Sequence, residues 1–270
     1  MPDALKPNNA YAVLDRPEVL QYLFHPRKEY DFPTVKGSYD DVLIPVEDDI
    51  MIGARLHMGA PDGVNILFFH GNGEIVSDYN ELGPVYNQMG INFLAVDYRG
   101  YGRSTGRPTV SAMMQDCHLV FDYVIQWLQA RHFTGPLVVM GRSLGSASAL
   151  ELATGRTARI GGLIIESGFA YAGPLLKLLG IDIDALGYKE TEGFGNVDKI
   201  ARFSKPLLVI HAERDHIIPF SDGQALYDAA GTTAKTLLKI PGANHNDIFM
   251  RGLQPYLQAV KALTDKVAAS

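Results

Sequence analysis

Ser143 stands in the run Gly141, Arg142, Ser143, Leu144, Gly145, a serine with a glycine two residues away on each side. That spacing suits a nucleophile. A turn sharp enough to lift a serine hydroxyl clear of the chain brings the residues two before and two after it together, where a Cβ would obstruct. Leu137, Val138, Val139 and Met140 before it have the composition of a buried strand, and residues 144–152 that of a slim helix. The serine therefore falls on a strand-to-helix turn, with helix N–H groups facing the same space.

A serine hydroxyl also needs a base, an orienting acid and donors for the oxyanion. Candidates for each follow other apolar runs. His245 comes after the run 236–240 and the loop residues Gly242, Ala243 and Asn244, which let an imidazole swing toward Ser143. Asp215 closes the stretch 206–215, where a carboxylate can accept the Nδ1–H of an imidazole and fix its tautomer; Glu213 is the competing acid. His70, Gly71, Asn72, Gly73 and Glu74 follow the run 66–69, and the small residues there let the Asn72 N–H approach a reacting carbonyl. The Leu144 N–H is the second expected oxyanion donor. His70 precedes the nucleophile and reads as a brace for its own loop. His211, Glu213, Asp215 and His216 are close enough in sequence to suggest a metal, but alternation along a strand sends neighbours to opposite faces, and no metal site is expected.

These residues need elements to hold them. Residues 41–46 and 51–58 read as an antiparallel hairpin, and thereafter buried strands (66–69, 92–96, 137–140, 162–165, 206–210, 236–240) alternate with helices (79–89, 110–131, 144–152, 222–230 and one from about 255). The fold class is α/β, a mostly parallel central sheet with helices on both faces. An N-terminal arm, 1–38, is expected ahead of one domain, 39–270. The arm reads as packed on the domain and carries a helical patch at 17–24; contact of its Tyr22, Leu23 and Phe24 with a membrane or partner is the alternative. An insertion at about 168–196 contains an apolar run at 174–180. It is either a lid lining an acyl pocket, with Leu175, Leu176 and Leu179 as substrate contacts, or a helix packed on the body. Arg142 is expected to face solvent, with a place at the site mouth as the alternative.

The 270 residues carry a formal charge of −6 with no basic run, so neither nucleic acid nor an anionic membrane is an expected partner. No apolar stretch approaches a membrane span, so no stable membrane insertion is expected; the start lacks a secretory pattern, and a cytoplasmic location is expected. Cys117 is the single cysteine and reads as a small buried residue.

With Asp97, Tyr98, Arg99, Gly100, Tyr101 and Gly102 added, the motifs at His70, Ser143, Asp215 and His245 make the chain similar to the α/β-hydrolase serine hydrolases, over about 65–251. The last two blocks resemble the branch of depalmitoylating hydrolases and their bacterial relatives. The order Ser143, Asp215, His245 is that superfamily's order. The resemblance implies a cofactor-independent serine hydrolase of the carboxylesterase or thioesterase kind, acting on a small-molecule ester, thioester or acylated substrate. A peptidase or amide hydrolase with the same triad, and a non-catalytic binding module on the same fold, are the alternatives; oligomeric state stays open. The 97–102 motif is implied to be structural, with Gly100 and Gly102 shaping a turn and Arg99 in an internal ion pair. Many relatives have glycine at Ala212, and histidine or glutamine at Arg142. A membrane anchor or cysteine-rich lipidated start is not matched, which weakens any transfer of protein depalmitoylation.

Overall fold

The computed structural model describes residues 10–29 and 39–270. Its organising element is an eight-stranded sheet of β1 (Asp40–Glu47), β2 (Ile50–His57), β3 (Val64–Phe69), β4 (Ile91–Val96), β5 (Leu137–Arg142), β6 (Gly162–Glu166), β7 (Leu207–Ala212) and β8 (Lys235–Ile240), in the spatial order β1-β2-β4-β3-β5-β6-β7-β8. The hairpin β1–β2 and the β2–β4 pair are antiparallel, and every other neighbouring pair is parallel. This is the α/β-hydrolase fold.

The strand residues explain why both faces are covered. In β3, Leu67 and Phe69 belong to one apolar core while Val64, Ile66 and Phe68 belong to the other, and β5 divides the same way between Val139 and the pair Val138 and Met140. Successive side chains of a strand point to opposite faces, so an unbroken apolar run demands helices on both. The first core takes α3 (Val110–Ala130), α4 (Gly145–Gly155), α5 (Ala172–Leu178), α6 (Asn196–Ala201) and α7 (Phe220–Ala229); the second takes α2 (Leu82–Gln88) and α8 (Ile248–Ala268). The sequence places a single helix over 79–89, whereas a 3-10 turn at Val76–Tyr79 precedes a shorter α2.

The last helix also begins earlier than its proline suggests. Gly252 breaks the helical geometry inside α8 (φ −144°), and Pro255 stands just past that break, where its missing N–H costs little. A Cβ at position 252 would lie 2.6 Å from Ile240, so glycine there lets the helix cross the end of β8.

In the arm, α1 (Pro17–Leu23) starts at its proline; residues 1–9 and 30–38 of the arm lie outside the described residues. Leu14, Val19, Leu23 and Phe24 are buried in the first core. The alternative that Leu23 and Phe24 touch a membrane is therefore corrected: they are covered by the body, and only Tyr22 of that trio is exposed. Asp15 completes the docking by accepting the Val110 and Ser111 N–H groups at the start of α3 (2.7 and 3.2 Å). Arg99 pairs with Asp116 at 2.7 Å, and Gly102, at φ +47°, passes so close to Asp97 that a Cβ would meet its carboxylate at 2.1 Å.

Candidate active site

Four loops at the carboxyl ends of β3, β5, β7 and β8 carry the candidate groups, the place where ligands bind on open sheets of this kind. Between β5 and α4 the chain turns within Ser143 and Leu144, and Ser143 is held at φ +51°, a conformation that L side chains rarely adopt. Both flanking glycines are forced. A Cβ on Gly141 would lie 2.3 Å from the Gly145 carbonyl oxygen, and one on Gly145 would lie 2.1 Å from that of Phe69. The turn thus packs backbone to backbone against the end of β3, where the loop 70–74 begins. The Ser143 N–H donates to the Glu166 carbonyl (2.9 Å), tying the turn to β6.

His245 links the serine to the acid. Its Nε2 lies 3.0 Å from Ser143 Oγ and its Nδ1 lies 2.7 Å from Asp215 Oδ2. An ionised carboxylate only accepts, so Nδ1 carries the proton and Nε2 presents its lone pair to the hydroxyl. The second oxygen, Oδ1, accepts the N–H groups of Ile217 (3.0 Å) and Ile218 (2.8 Å). Burial pushes the Asp215 carboxyl up, but the hydrogen bond and charge of His245 and those two amides outweigh it and hold it below the usual carboxylate range. Asp215 is thus the carboxylate that meets His245. Glu213 is turned to solvent and accepts the Gly242 N–H at 2.8 Å, which fixes the loop leading to His245. His211 donates from Nε2 to the Ile218 carbonyl (2.8 Å) and His216 pairs with the Asn244 side chain, so both histidines brace the loops.

The loop after β3 is braced from several sides. His70 lies with Nδ1 2.8 Å from the Gly71 carbonyl and Nε2 3.2 Å from Asp97. The Asn72 side-chain oxygen accepts the His25 N–H (2.9 Å) and the Tyr101 hydroxyl (2.6 Å), so the arm and the 97–102 turn both hold it. Among the hydrogen bonds of the described residues, none draws on the N–H of Asn72 or of Leu144. Those are the two amides expected as oxyanion donors.

Arg142 is corrected outright. It does not face solvent: 6% exposed, it pairs with Glu74 (2.8 Å) and Glu166 (2.7 Å). Sequence reasoning missed both glutamates, although Glu166 ending an otherwise apolar strand and Glu74 closing a glycine-rich loop were signals that a buried cation was waiting for them.

Beside Asp215 lies a cleft of about 260 Å³, walled by Phe169, Tyr171, Leu175, Leu178, Ile217 and Ile218 among others. Of the three leucines expected to contact substrate, only Leu175 lines it. Leu176 is buried in the first core and Leu179 packs at that core's margin, while Leu178, which was not expected there, faces the cleft. α5 packs on the body through Ala172 and Leu176 and offers Leu175 and Leu178 to the cleft. Glu190 anchors it by accepting the Ala172 and Gly173 N–H groups (2.7 and 2.9 Å).

A family model described as serine aminopeptidase, S33, matches residues 60–180. The lysophosphatidylserine lipase ABHD12 of Xenopus tropicalis is 36% identical over 186 residues, which cover 61% of this chain and 46% of that protein. Human alpha/beta hydrolase domain-containing protein 17B is 31% identical over 207 residues, covering 73% of this chain and 64% of its own length. The chain thus spans between about half and two thirds of these curated relatives. Among solved structures, an esterase from Pyrococcus furiosus superposes with a TM-score of 0.71 at 18% identity, covering 91% of this chain and 98% of that one. Est1E from Butyrivibrio proteoclasticus, solved with ferulic acid, superposes at 0.66 with 20% identity, covering 85% and 100%. No helix among the described residues is long and apolar enough to cross a membrane.

Proposed function

The chain belongs to the α/β-hydrolase superfamily, and from that premise we propose that it is a serine hydrolase that cleaves a carboxylic ester or thioester through an acyl-enzyme on Ser143. The observation that carries this reading is the unbroken relay of Ser143 Oγ, His245 and Asp215 at 3.0 and 2.7 Å, drawn from three different strand ends. Ser143 attacks the carbonyl carbon as His245 Nε2 takes its proton, and Asp215 stabilises the imidazolium that forms. The oxyanion develops between the Asn72 and Leu144 amides. His245 then returns the proton to the leaving alcohol or thiol, and water, activated by the same imidazole, releases the acid and frees Ser143.

The cleft suggests the size of the acyl group. At about 260 Å³ it is below the roughly 300–1,000 Å³ of sites that enclose drug-sized ligands, and its walls are mainly apolar. A short or medium aliphatic acyl chain, or one aromatic ring, fits that space. Hydrolysis of p-nitrophenyl esters from acetyl to palmitoyl tests this, with an optimum at the shorter lengths expected. A rate that rises steadily to palmitoyl would contradict it. A peptidase using the same triad is the second reading, favoured by the description of the matching family; faster cleavage of aminoacyl p-nitroanilides than of any ester would establish it.

A further inference from the structure

The residue before the nucleophile touches two of the candidate loops and the end of β6. From inside the fold, Arg142 donates from Nε to Glu74 Oε1 (2.8 Å), from Nη1 to Glu166 Oε1 (2.7 Å) and from Nη2 to the His245 carbonyl (3.0 Å). The acceptors are themselves committed. Glu74 Oε2 takes the Gly71 N–H (2.6 Å) and the Tyr79 hydroxyl (2.5 Å), and Glu166 Oε2 takes the Tyr256 hydroxyl (2.8 Å). One guanidinium therefore joins the turn that bears the serine, the loop that bears the histidine and the loop that bears the Asn72 amide.

We propose that Arg142 is a positioning residue for the reaction, whose planar fork sets the His245 loop and the oxyanion loop in register with Ser143. This rests on the hydrolase reading above. The side chain suits that role, because a guanidinium presents five N–H groups in a fixed plane, and three of its nitrogens here meet three acceptors lying in different directions. A lysine ammonium keeps the charge but cannot hold that geometry. Burial pushes the Glu74 carboxyl up, yet the Arg142 charge and the hydrogen bonds from Tyr79 and Arg142 bring it down to about 2, so the pair stays ionic at neutral pH. Stability alone does not account for such a cluster, because buried ion pairs recover little beyond their desolvation cost. Arg55, 1% exposed and held by Asp41, Glu29 and Asn80, is a cluster of the same kind that donates to none of residues 70–74, 141–145, 213–218 or 241–247, and serves as the control.

The test separates positioning from folding by counting working sites. In wild type, Arg142→Lys and Arg55→Lys, active sites are titrated with a fluorophosphonate, and kcat per titrated site and KM are measured on the best p-nitrophenyl ester. Arg142→Lys is expected to lose about 10- to 100-fold in kcat per site with KM little changed. Arg55→Lys is expected to lose melting temperature and keep kcat per site. If Arg142→Lys yields no folded protein, Glu74→Gln, which keeps shape and an acceptor for the Gly71 N–H while removing the charge, is expected to lower kcat per site in the same way. Wild-type kcat per site in Arg142→Lys, or in Glu74→Gln where that variant stands in, overturns the proposal. A wild type that neither labels nor turns over any ester overturns the hydrolase reading, and this inference with it.

Discussion

Adding one methyl group at Gly145 tests how tightly the serine turn is coupled to the loop 70–74, whose Asn72 amide is the proposed oxyanion donor. In Gly145→Ala the new Cβ would lie 2.1 Å from the Phe69 carbonyl oxygen, 2.6 Å from its carbon and 2.8 Å from the His70 carbonyl oxygen. All three are backbone atoms, so no side-chain rotation relieves the contact. Reaching a tolerable separation of 3.0 Å requires the two backbones to part by about 1 Å. Overpacking of this kind costs about 1–3 kcal/mol of stability. A displacement of that size between nucleophile and oxyanion donors costs about 100-fold in rate. The control is Gly90→Ala, at φ +75° with nothing within 4 Å, which carries only the strain of a left-handed alanine, about 1–2 kcal/mol. Thermal melts and ester kcat per titrated site are measured on both variants. Comparable loss of stability with loss of kcat in Gly145→Ala alone is expected. Wild-type kcat per site in Gly145→Ala would refute the coupling.

Three further outcomes are expected. Asp215→Asn turns an NH2 or a carbonyl toward His245 Nδ1 and no longer fixes its tautomer, so kcat should fall by about 10⁴; a loss below about tenfold would mean another group orients the imidazole. Leu175→Trp fills part of the cleft and should move the p-nitrophenyl ester optimum to shorter chains; an unchanged chain-length profile would place the acyl group elsewhere. Burial pushes the Glu74 and Glu151 carboxyls up, but Arg142 beside the first, and His118 and Lys199 beside the second, bring both from 4.5 to about 2. Because the folded values lie below the unfolded ones, each stabilises the fold above pH 4.5, by at most about 3 kcal/mol, and the contribution is lost as pH falls toward 2. Urea midpoints should therefore drop across that window and drop less in Glu74→Gln; equal slopes in the two proteins would contradict this.

What was legible in the sequence follows from how local each signal is. Ser143, Asp215, His245 and Asn72 stand directly after apolar runs, and on a parallel sheet such runs end at one edge, so their convergence could be read without coordinates. Arg142 could not. Its partners Glu74 and Glu166 lie 68 and 24 residues away, and whether an arginine is buried depends on carboxylates that only the folded chain brings to it. The three cap leucines part for a geometric reason. Residues one apart on a helix diverge by about 100°, so Leu175 and Leu176 could not share one face: the first lines the cleft and the second enters the core. The start of α8, expected at about 255, lies at Ile248, because Pro255 opens only the limb beyond the break at Gly252. The packing of the arm was legible at Leu23 and Phe24, because an apolar patch beside a large core has a place to be buried.

The most direct test is to treat the protein with a fluorophosphonate, locate the adduct by peptide mass spectrometry and compare ester turnover with that of Ser143→Ala. A single adduct on Ser143, with turnover lost in a Ser143→Ala protein that melts as wild type does, is the result a Ser143–His245–Asp215 hydrolase gives. An adduct on another residue, or turnover that survives Ser143→Ala, would contradict it.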